Sequence, residues 1–125
     1  MRFPNKNVLV TGATGQLGRQ FCKAFAREGA SVWVSDIDID QCGSVLDKLE
    51  GPQQHHSLLL NVADPYSVKS AFDEINKTSG CVDIIINNAG IAVFSPFEER
   101  TFDEFMEVLK VNTGGTFLCI QDSDQ

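Results

Sequence analysis

Short apolar runs alternate with amphipathic segments of helical length along nearly the whole chain, and this alternation restricts the fold more than any other feature. The runs are rich in valine, isoleucine and leucine, and the segments between them repeat apolar residues at helical spacing. Strands joined by helices lie parallel, because each helix returns the chain to the same end of the sheet. The predicted strands are residues 7–11, 31–35, 57–62 and 82–87.

Capping signals mark most of the predicted helices. The first begins at Gln16 and ends before Gly29, a glycine at the C′ position. Its predicted apolar face consists of Leu17, Phe21, Ala24 and Phe25. A weaker second helix is predicted over residues 39–50. Asp64 and Pro65 open the third helix as N-cap and first residue, ahead of an apolar stripe. The stripe consists of Val68, Ala71, Phe72 and Ile75.

A final helix is predicted from the capping box at residues 101–104 to about Gln121. Right-handed crossovers give the strand order 3-2-1-4, the first part of a doubly wound, Rossmann-like α/β fold with helices on both faces. We therefore expect one domain over residues 1–125. A six-stranded sheet of this kind needs roughly twice as many residues, so the predicted sheet is incomplete. Its apolar fourth strand would form an edge, which an oligomer made through that edge or the last helix would hide.

The charge balance excludes several kinds of partner. The formal net charge is −7, and the sequence has no basic stretch that could neutralise nucleic acid or an anionic membrane. No apolar run is long enough to cross a bilayer, and the first residues do not resemble a signal peptide, so a cytoplasmic location is expected. The four cysteines are expected to be thiols, and no metal site is predicted. His55 and His56 are expected to be solvated loop residues.

A glycine-rich turn follows the first predicted strand. It runs from Thr11 to Gly18 and contains Gly12, Gly15 and Gly18. Glycine lets the backbone approach a pyrophosphate, and the N–H groups at the following helix start would bind its oxygens. An ordinary tight turn is the alternative. Gly12, Gly15 and Gly18 are predicted to hold the pyrophosphate, and the predicted cofactor-binding residues of the turn are Thr11, Gly12, Thr14, Gly15, Gln16, Leu17 and Gly18.

Asp36 ends the second predicted strand and is followed by Ile37. A carboxylate at this place can accept hydrogen bonds from the adenosine ribose hydroxyls and would repel a 2′-phosphate. Asp38 and Asp40 would add to that repulsion, so NAD is predicted as the cofactor and NADP is disfavoured. A solvated loop acid is the alternative interpretation.

Asparagines follow the third and fourth predicted strands. Asn61, with Val62, is placed to contact the adenine edge or, equally, to cap the strand end. Asn88, Ala89 and Gly90 should border the crevice beyond the strand ends and contact the second ribose. Asn112 falls on the apolar face of the last predicted helix together with Phe105, Leu109 and Thr116. A buried amide needs hydrogen-bond partners, so we expect Asn112 to have them.

Two motifs resemble those of the short-chain dehydrogenases/reductases. Residues 87–90 (Asn-Asn-Ala-Gly) are similar to the motif after the family's fourth strand, and residues 111–117 are similar to the stretch that holds its helix asparagine. The resemblance covers residues 7 to about 121. It implies a NAD(P)-dependent oxidoreductase that moves hydride between nicotinamide and a carbonyl or alcohol carbon. It also implies that Asn112 supports the catalytic proton relay.

The sequence departs from the family pattern in three ways. Gln16 replaces a glycine of the turn, which resembles the extended branch, whereas the Asn-Asn-Ala-Gly motif favours the classical branch. Asn61 replaces the family's adenine-contacting aspartate. The family's catalytic Ser and Tyr-x-x-x-Lys pair have no counterpart here, since Tyr66 has its lysine at the wrong spacing.

The function predicted from the sequence is therefore the NAD(P)-binding part of such an enzyme, inactive by itself and meeting a small-molecule substrate only in a full-length form. Two alternatives remain at this point. One is a non-catalytic NAD-binding or dimerising module. The other is the N-terminal part of an extended-type sugar-nucleotide epimerase or reductase.

Overall fold

The computed structural model describes residues 1–92 and 94–123. Four strands form one parallel sheet in the order β3-β2-β1-β4, which confirms the predicted strand order. The strands are β1 (Asn7–Val10), β2 (Ser31–Asp36), β3 (His56–Leu59) and β4 (Ile84–Ile86). Val8 of β1 pairs with Val32 of β2 on one side and with Ile84 of β4 on the other. In the described part of the chain, β3 and β4 are thus the edge strands.

Five α-helices of the described ranges connect or follow the strands. They are α1 (Gln16–Arg27), α2 (Ile39–Leu46), α3 (Pro65–Ser79), α4 (Phe102–Leu109) and α5 (Gly115–Ser123). A 3₁₀ turn at Phe97–Glu99 precedes α4, and a π-helical turn at Lys110–Gly114 joins α4 to α5. Within the described ranges, no helix is long and apolar enough to cross a bilayer.

The two central strands, β1 and β2, are buried on both faces, as their apolar sequences predict. Val8 and Val10 of β1 point to one face and pack in a core with residues of α1 and α2. Leu9 and Trp33 point to the other face and pack with α3 and with Cys119 of α5. Side chains alternate across a strand, so β1 contributes to both cores.

The predicted capping signals are confirmed. The Asp64 carboxylate accepts a hydrogen bond from the N–H of Tyr66, and the Thr101 hydroxyl accepts one from the N–H of Glu104. Gly29 has φ 93°, and its N–H donates to the carbonyl of Ala26, as at a C′ position. The predicted α3 stripe is also confirmed, since all four of its residues are buried.

The predicted apolar face of α1 is confirmed only in part, because Phe21 and Phe25 pack against the core whereas Ala24 is exposed. The face against the sheet consists of the small residues Gly18, Cys22 and Ala26, whereas Leu17 is 64% exposed. A Cβ on Gly18 would lie 2.3 Å from the carbonyl oxygen of Gly12, so helix and turn are too close for a large side chain between them. Close packing of α1 therefore selects small residues, and the large apolar ones lie at its flanks.

Several element boundaries differ from the predictions. The helix α2 ends four residues earlier than predicted, at Leu46, and β3 ends at Leu59 instead of residue 62. The fourth strand is shorter than predicted, and its three isoleucines are half-buried because β4 pairs with β1 alone. The last predicted helix is interrupted by the π-helical turn.

The prediction of two solvated histidines is also wrong. Nδ1 of His55 accepts a hydrogen bond from the N–H of Val32 at 3.1 Å, at the start of β2. The ring of His56 stacks on Trp33 at a centroid distance of 4.3 Å. Both rings therefore contribute to the packing of the β2–β3 edge.

Candidate functional site

A cleft of about 540 Å³ lies beyond the carboxyl ends of the strands. This is the place where open parallel sheets bind ligands. It lies between the glycine turn after β1, the residues after β2 and β3, the loop after β4, and α4. Its lining residues are Gly12, Thr14, Gly15, Gln16, Leu17, Asp36, Ile37, Leu60, Asn61, Val62, Asn88, Ala89, Gly90, Ile91, Glu107 and Val111.

The glycine turn requires its glycines for close backbone approaches. Gly12 has φ 61°, and a Cβ there would lie 2.8 Å from Cα of Ala89 in the loop after β4. A Cβ on Gly18 would lie 2.7 Å from Cα of Ala13. Gly15 differs, because it is exposed and a Cβ there would meet only the Gly12 carbonyl oxygen, at 3.4 Å. Gly12 and Gly18 thus serve packing within the protein, whereas Gly15 leaves open space on the side of the cleft.

The start of α1 faces the cleft as a group of backbone donors. Gly15 is the N-cap and contributes no side chain, and the first turn contains no acidic residue. The first N–H groups of a helix have no intrahelical partner and carry its positive dipole end. Because Gln16 and Leu17 line the cleft, this end of the helix fits an anion such as a pyrophosphate.

The Asp36 carboxylate is joined to the glycine turn. Its Oδ2 accepts hydrogen bonds from the N–H of Thr14 at 3.2 Å and from the Thr14 hydroxyl at 2.7 Å. Its Oδ1 accepts one from the N–H of Ile37 at 2.7 Å. Asp38, by contrast, caps α2 by accepting from the N–H of Gln41 at 3.2 Å. Of these two aspartates, Asp36 therefore borders the cleft, and Asp38 has a local structural role.

Thr11 and Asn88 tie the glycine turn to the loop after β4. The buried Thr11 hydroxyl accepts hydrogen bonds from the N–H groups of Asn88 and Ala89, both at 3.0 Å. The Asn88 amide donates to the carbonyl of Gly12 at 3.1 Å. These bonds hold two walls of the cleft at a fixed separation.

Asn61 caps its own turn. Its Oδ1 accepts a hydrogen bond from the N–H of Ala63 at 3.0 Å, in agreement with the strand-end alternative, and the residue also lines the cleft. Next to it, Val62 contacts α5, since a Cβ on Gly115 would lie 2.6 Å from a Val62 methyl carbon. This contact positions the residues after β3, which border the cleft, against α5.

Asn112 is not buried, contrary to the prediction, and its predicted neighbours Phe105 and Leu109 are 49% and 39% exposed. Its predicted hydrogen-bond partners are present. Its Oδ1 accepts from the N–H of Ile91 at 2.8 Å, and its Nδ2 donates to the Ile91 carbonyl at 2.9 Å. Asn112 lies in the π-helical turn. It therefore fixes the backbone just after the Asn-Asn-Ala-Gly motif.

The cleft brings together all of the predicted site residues except Thr11, Gly18 and Asn112. These three contact the glycine turn or the loop after β4 without lining the cleft. The binding roles of all the predicted site residues stay predictions. Sequence reasoning missed Leu60, Ile91, Glu107 and Val111. Glu107 lies in α4 and Val111 in the π-helical turn, and neither follows a strand, so no signal in the sequence marked them as cleft residues.

Among the residues that the structure describes, the lining carries two acidic residues, Asp36 and Glu107, and no lysine, arginine or histidine. The cysteines of the described chain are free thiols. Burial raises the pKa of Cys22 to about 12 and that of Cys119 to about 11, so neither is a ready nucleophile. No group of potential metal ligands occurs among residues 1–92 and 94–123.

The sheet order and the cleft beyond its strand ends define a Rossmann-like α/β protein. Comparison with known proteins narrows this class. The short chain dehydrogenase family profile matches residues 6–123. An uncharacterised oxidoreductase of Bacillus subtilis is 37% identical over 120 residues, covering 94% of this chain and 44% of the relative. The D-threitol dehydrogenase of Mycolicibacterium smegmatis is 33% identical over 121 residues, covering 96% and 46%.

A solved structure agrees with these relatives. A short-chain type dehydrogenase/reductase from Mycobacterium marinum superposes with a TM-score of 0.90 at 27% identity, covering 97% of this chain and 49% of that chain. The protein thus belongs to the short-chain dehydrogenase/reductase family, whose members are oxidoreductases that use NAD(H) or NADP(H). The chain spans about half the length of the curated relatives that it matches.

Proposed function

We propose that the cleft binds the adenosine and pyrophosphate part of NAD, and that the whole protein moves hydride between nicotinamide and a carbonyl or alcohol carbon. The observation that carries this proposal is that the start of α1, which has no side-chain cap, lies beside an acid at the end of β2. Anion-binding amides and a ribose-binding carboxylate then lie in one cleft, as a dinucleotide requires.

The pyrophosphate is bound by the backbone at the start of α1. Gly15 leaves room for the phosphate oxygens, and the N–H groups of Gln16 and Leu17 point at them along the positive end of the helix. Gly12 and Gly18 hold the turn close to Ala89 and Ala13, so that the helix start lies at the cleft floor. Thr11 supports the same turn from the protein interior.

The adenosine end is selected by charge and by apolar contact. Asp36 accepts a hydrogen bond from the ribose and repels a 2′-phosphate, and the lining offers no cation to hold that phosphate. Ile37, Leu60 and Val62 form apolar walls for the base. The Asn61 amide remains able to donate to a ring nitrogen, because its capping bond uses only Oδ1.

The nicotinamide side lies towards the loop after β4. A bound nicotinamide dinucleotide supplies the hydride acceptor or donor. Asn88, Ala89 and Gly90 contact the second ribose, and Asn112 holds the backbone of Ile91 beyond them. As the family resemblance implies, Asn112 would also belong to the proton relay.

This chain binds cofactor without turnover by itself. Its single tyrosine, Tyr66, is 85% exposed on α3 and does not line the cleft. Among the described residues, the lining therefore contains no tyrosine, serine or lysine of the kind that the family uses for the proton that accompanies hydride transfer. The substrate meets the cofactor only in the full-length form.

The exposed apolar surface favours self-association. The edge of β4 is half-buried, and Phe117 and Ile120 of α5 are 61% and 56% exposed. Pairing through the β4 edge or through α5 would remove this surface from water. A monomer at micromolar concentration, measured by light scattering, would contradict this part of the proposal.

Calorimetric titration with NAD, NADP and AMP tests the cofactor assignment. We expect NAD and AMP to bind and NADP to bind at least about tenfold more weakly, because a 2′-phosphate would approach the Asp36 carboxylate. Asp36→Asn should remove most of this preference. Asp40→Asn is the matched control, since Asp40 is exposed in the same segment but does not line the cleft.

Two results would contradict the proposal. Equal affinities for NAD and NADP would exclude the role of Asp36. The absence of binding for all three ligands, on a folded sample, would exclude the cleft as an independent nucleotide site.

A further inference from the structure

The Asp36 carboxylate is already bound by three donors from the protein. Two come from Thr14, whose N–H and hydroxyl both donate to Oδ2, at 3.2 and 2.7 Å. The third is the N–H of Ile37, which donates to Oδ1 at 2.7 Å. The hydroxyl bond has the usual length of an O–H···O hydrogen bond. The glycine turn and the end of β2 are therefore joined through one side chain.

These bonds use most of the acceptor capacity of the carboxylate. A carboxylate offers about four lone-pair positions, two on each oxygen. Both positions of Oδ2 are taken by Thr14, and one of Oδ1 is taken by Ile37. One acceptor position on Oδ1 remains for a ligand, whereas a ribose with free 2′ and 3′ hydroxyls brings two donors. The orientation of the carboxylate thus decides whether the free acceptor position of Oδ1 and the negative charge face a bound ligand.

We infer that Thr14 is a positioning residue that sets the selectivity of the cleft for an unphosphorylated adenosine ribose, acting through Asp36. This inference rests on the proposed nucleotide site. The Thr14 hydroxyl holds Oδ2 against the turn, so that Oδ1 and the negative charge face the ribose. Without the hydroxyl, Oδ2 keeps one longer bond, and the carboxylate is free to turn towards solvent. It would then accept less from the ribose and also repel a 2′-phosphate less.

A purely structural role of Thr14 has a different signature. If the hydroxyl served only to stabilise the turn, its loss would weaken every ligand that uses the turn by the same factor. Selectivity between a ribose hydroxyl and a ribose phosphate would stay constant, because the pyrophosphate site is common to both ligands. The ratio of two affinities therefore separates the two roles, whereas a single affinity does not.

The test is calorimetric titration of Thr14→Val and Thr14→Ser with AMP and with adenosine 2′,5′-bisphosphate. Valine keeps the shape of threonine but removes the hydroxyl, and serine restores the hydroxyl. We expect Thr14→Val to lower the preference for AMP by about tenfold, the effect of one hydrogen bond to a charged group. Thr14→Ser should keep the wild-type ratio within about twofold. Thr78→Val is the matched control, because Thr78 is exposed on α3, away from the cleft.

A double-mutant cycle with Asp36→Asn tests whether Thr14 acts through the acid. In the Asp36→Asn background, Thr14→Val should change the ratio by less than about twofold, since the charge to be positioned is gone. An undiminished effect there would overturn the inference, because Thr14 would then contact the ligand directly. The inference would also be overturned if Thr14→Val kept the wild-type ratio of the affinities for AMP and adenosine 2′,5′-bisphosphate, or if Thr14→Val bound AMP more tightly than the wild type.

The failure of the inference is distinguishable from that of the proposed function. If the folded wild-type chain binds neither ligand, the proposed nucleotide site is wrong and the inference falls with it. If the wild-type chain prefers AMP and Thr14→Val keeps that preference, only the role of Thr14 is wrong. Thermal unfolding of each variant establishes that the titrated sample is folded.

Discussion

Replacing Gly18 with alanine tests the close approach between α1 and the glycine turn. The added Cβ would lie 2.3 Å from the carbonyl oxygen of Gly12 and 2.7 Å from Cα of Ala13. Both contacts are with backbone, so neither can be relieved by rotation of a side chain. The helix must therefore move away from the turn, and the N–H groups at its start must leave the floor of the cleft.

The expected cost follows from two opposing effects. Overpacking a well-packed site costs about 1–3 kcal/mol, and two backbone contacts below 3.0 Å place this site near the upper end. Alanine gains about 1 kcal/mol over glycine from its helix propensity. The net result is a loss of about 2 kcal/mol in the free energy of unfolding. We expect AMP binding to fall by more than about tenfold as well, because the phosphate donors are displaced.

Gly43→Ala is the matched control. Gly43 lies in α2, and a Cβ there would meet no atom within 4 Å. The same chemical change should raise the free energy of unfolding by up to about 1 kcal/mol and leave AMP binding unchanged. Urea unfolding can be followed by the fluorescence of Trp33, the single tryptophan, which is 2% exposed. The reasoning would be refuted if Gly18→Ala were as stable as the wild type, or if Gly18→Ala and Gly43→Ala were destabilised equally.

Three further substitutions test other parts of the structure. Thr11→Val should lower the free energy of unfolding by about 2 kcal/mol in urea titrations, because the Ala89 N–H loses its acceptor and the Asn88 N–H keeps only the Ile86 carbonyl, whereas Thr11→Ser should not. Burial holds the pKa of His55 below its ordinary value of 6.5. The unfolded chain therefore takes up the proton first, and the stability contributed by neutral His55 is lost as the pH falls from 6.5 through the folded-state pKa. His55→Gln should remove this part of the pH dependence of urea unfolding. Glu107→Gln should tighten AMP binding about twofold by removing a negative charge from the cleft, whereas Asp103→Asn, outside the cleft, should have no effect.

Each of these expectations has a result that contradicts it. Equal stability of the Thr11 valine and serine variants would show that the hydroxyl is not needed as an acceptor. A wild-type pH dependence in His55→Gln would exclude the histidine as its source. Equal effects of Glu107→Gln and Asp103→Asn would mean that overall charge, and not the position in the cleft, controls binding.

The parts of the fold that could be predicted from the sequence depend on local chemistry. Asp64 and Thr101 cap helices through their own neighbours, so their roles need no knowledge of the rest of the molecule. Gly29 ends α1 for a similarly local reason, because glycine adopts positive φ without strain. The alternation of strands and helices, together with right-handed crossovers, then leads to the observed strand order.

The residues that line the cleft were predictable only in part. The glycine turn, Asp36 and the loop after β4 all follow strands, and the carboxyl ends of parallel strands meet at one edge of the sheet. Glu107 and Val111 follow no strand, and they line the cleft because α4 and the π-helical turn bring them there. The interruption at Asn112 had no capping or proline signal, so a continuous helix was predicted.

By itself, then, the sequence determined the element types, most of the caps, the parallel strand order and the turn that carries the glycines. The tertiary structure alone decided which face of α1 is buried, which oxygen of Asp36 is held by Thr14, and that Asn112 binds the backbone of Ile91. The physical reason is the range of the interactions. Propensity and capping act within a few residues, whereas these contacts join segments that are 20 or more residues apart in sequence and meet only after the sheet has formed.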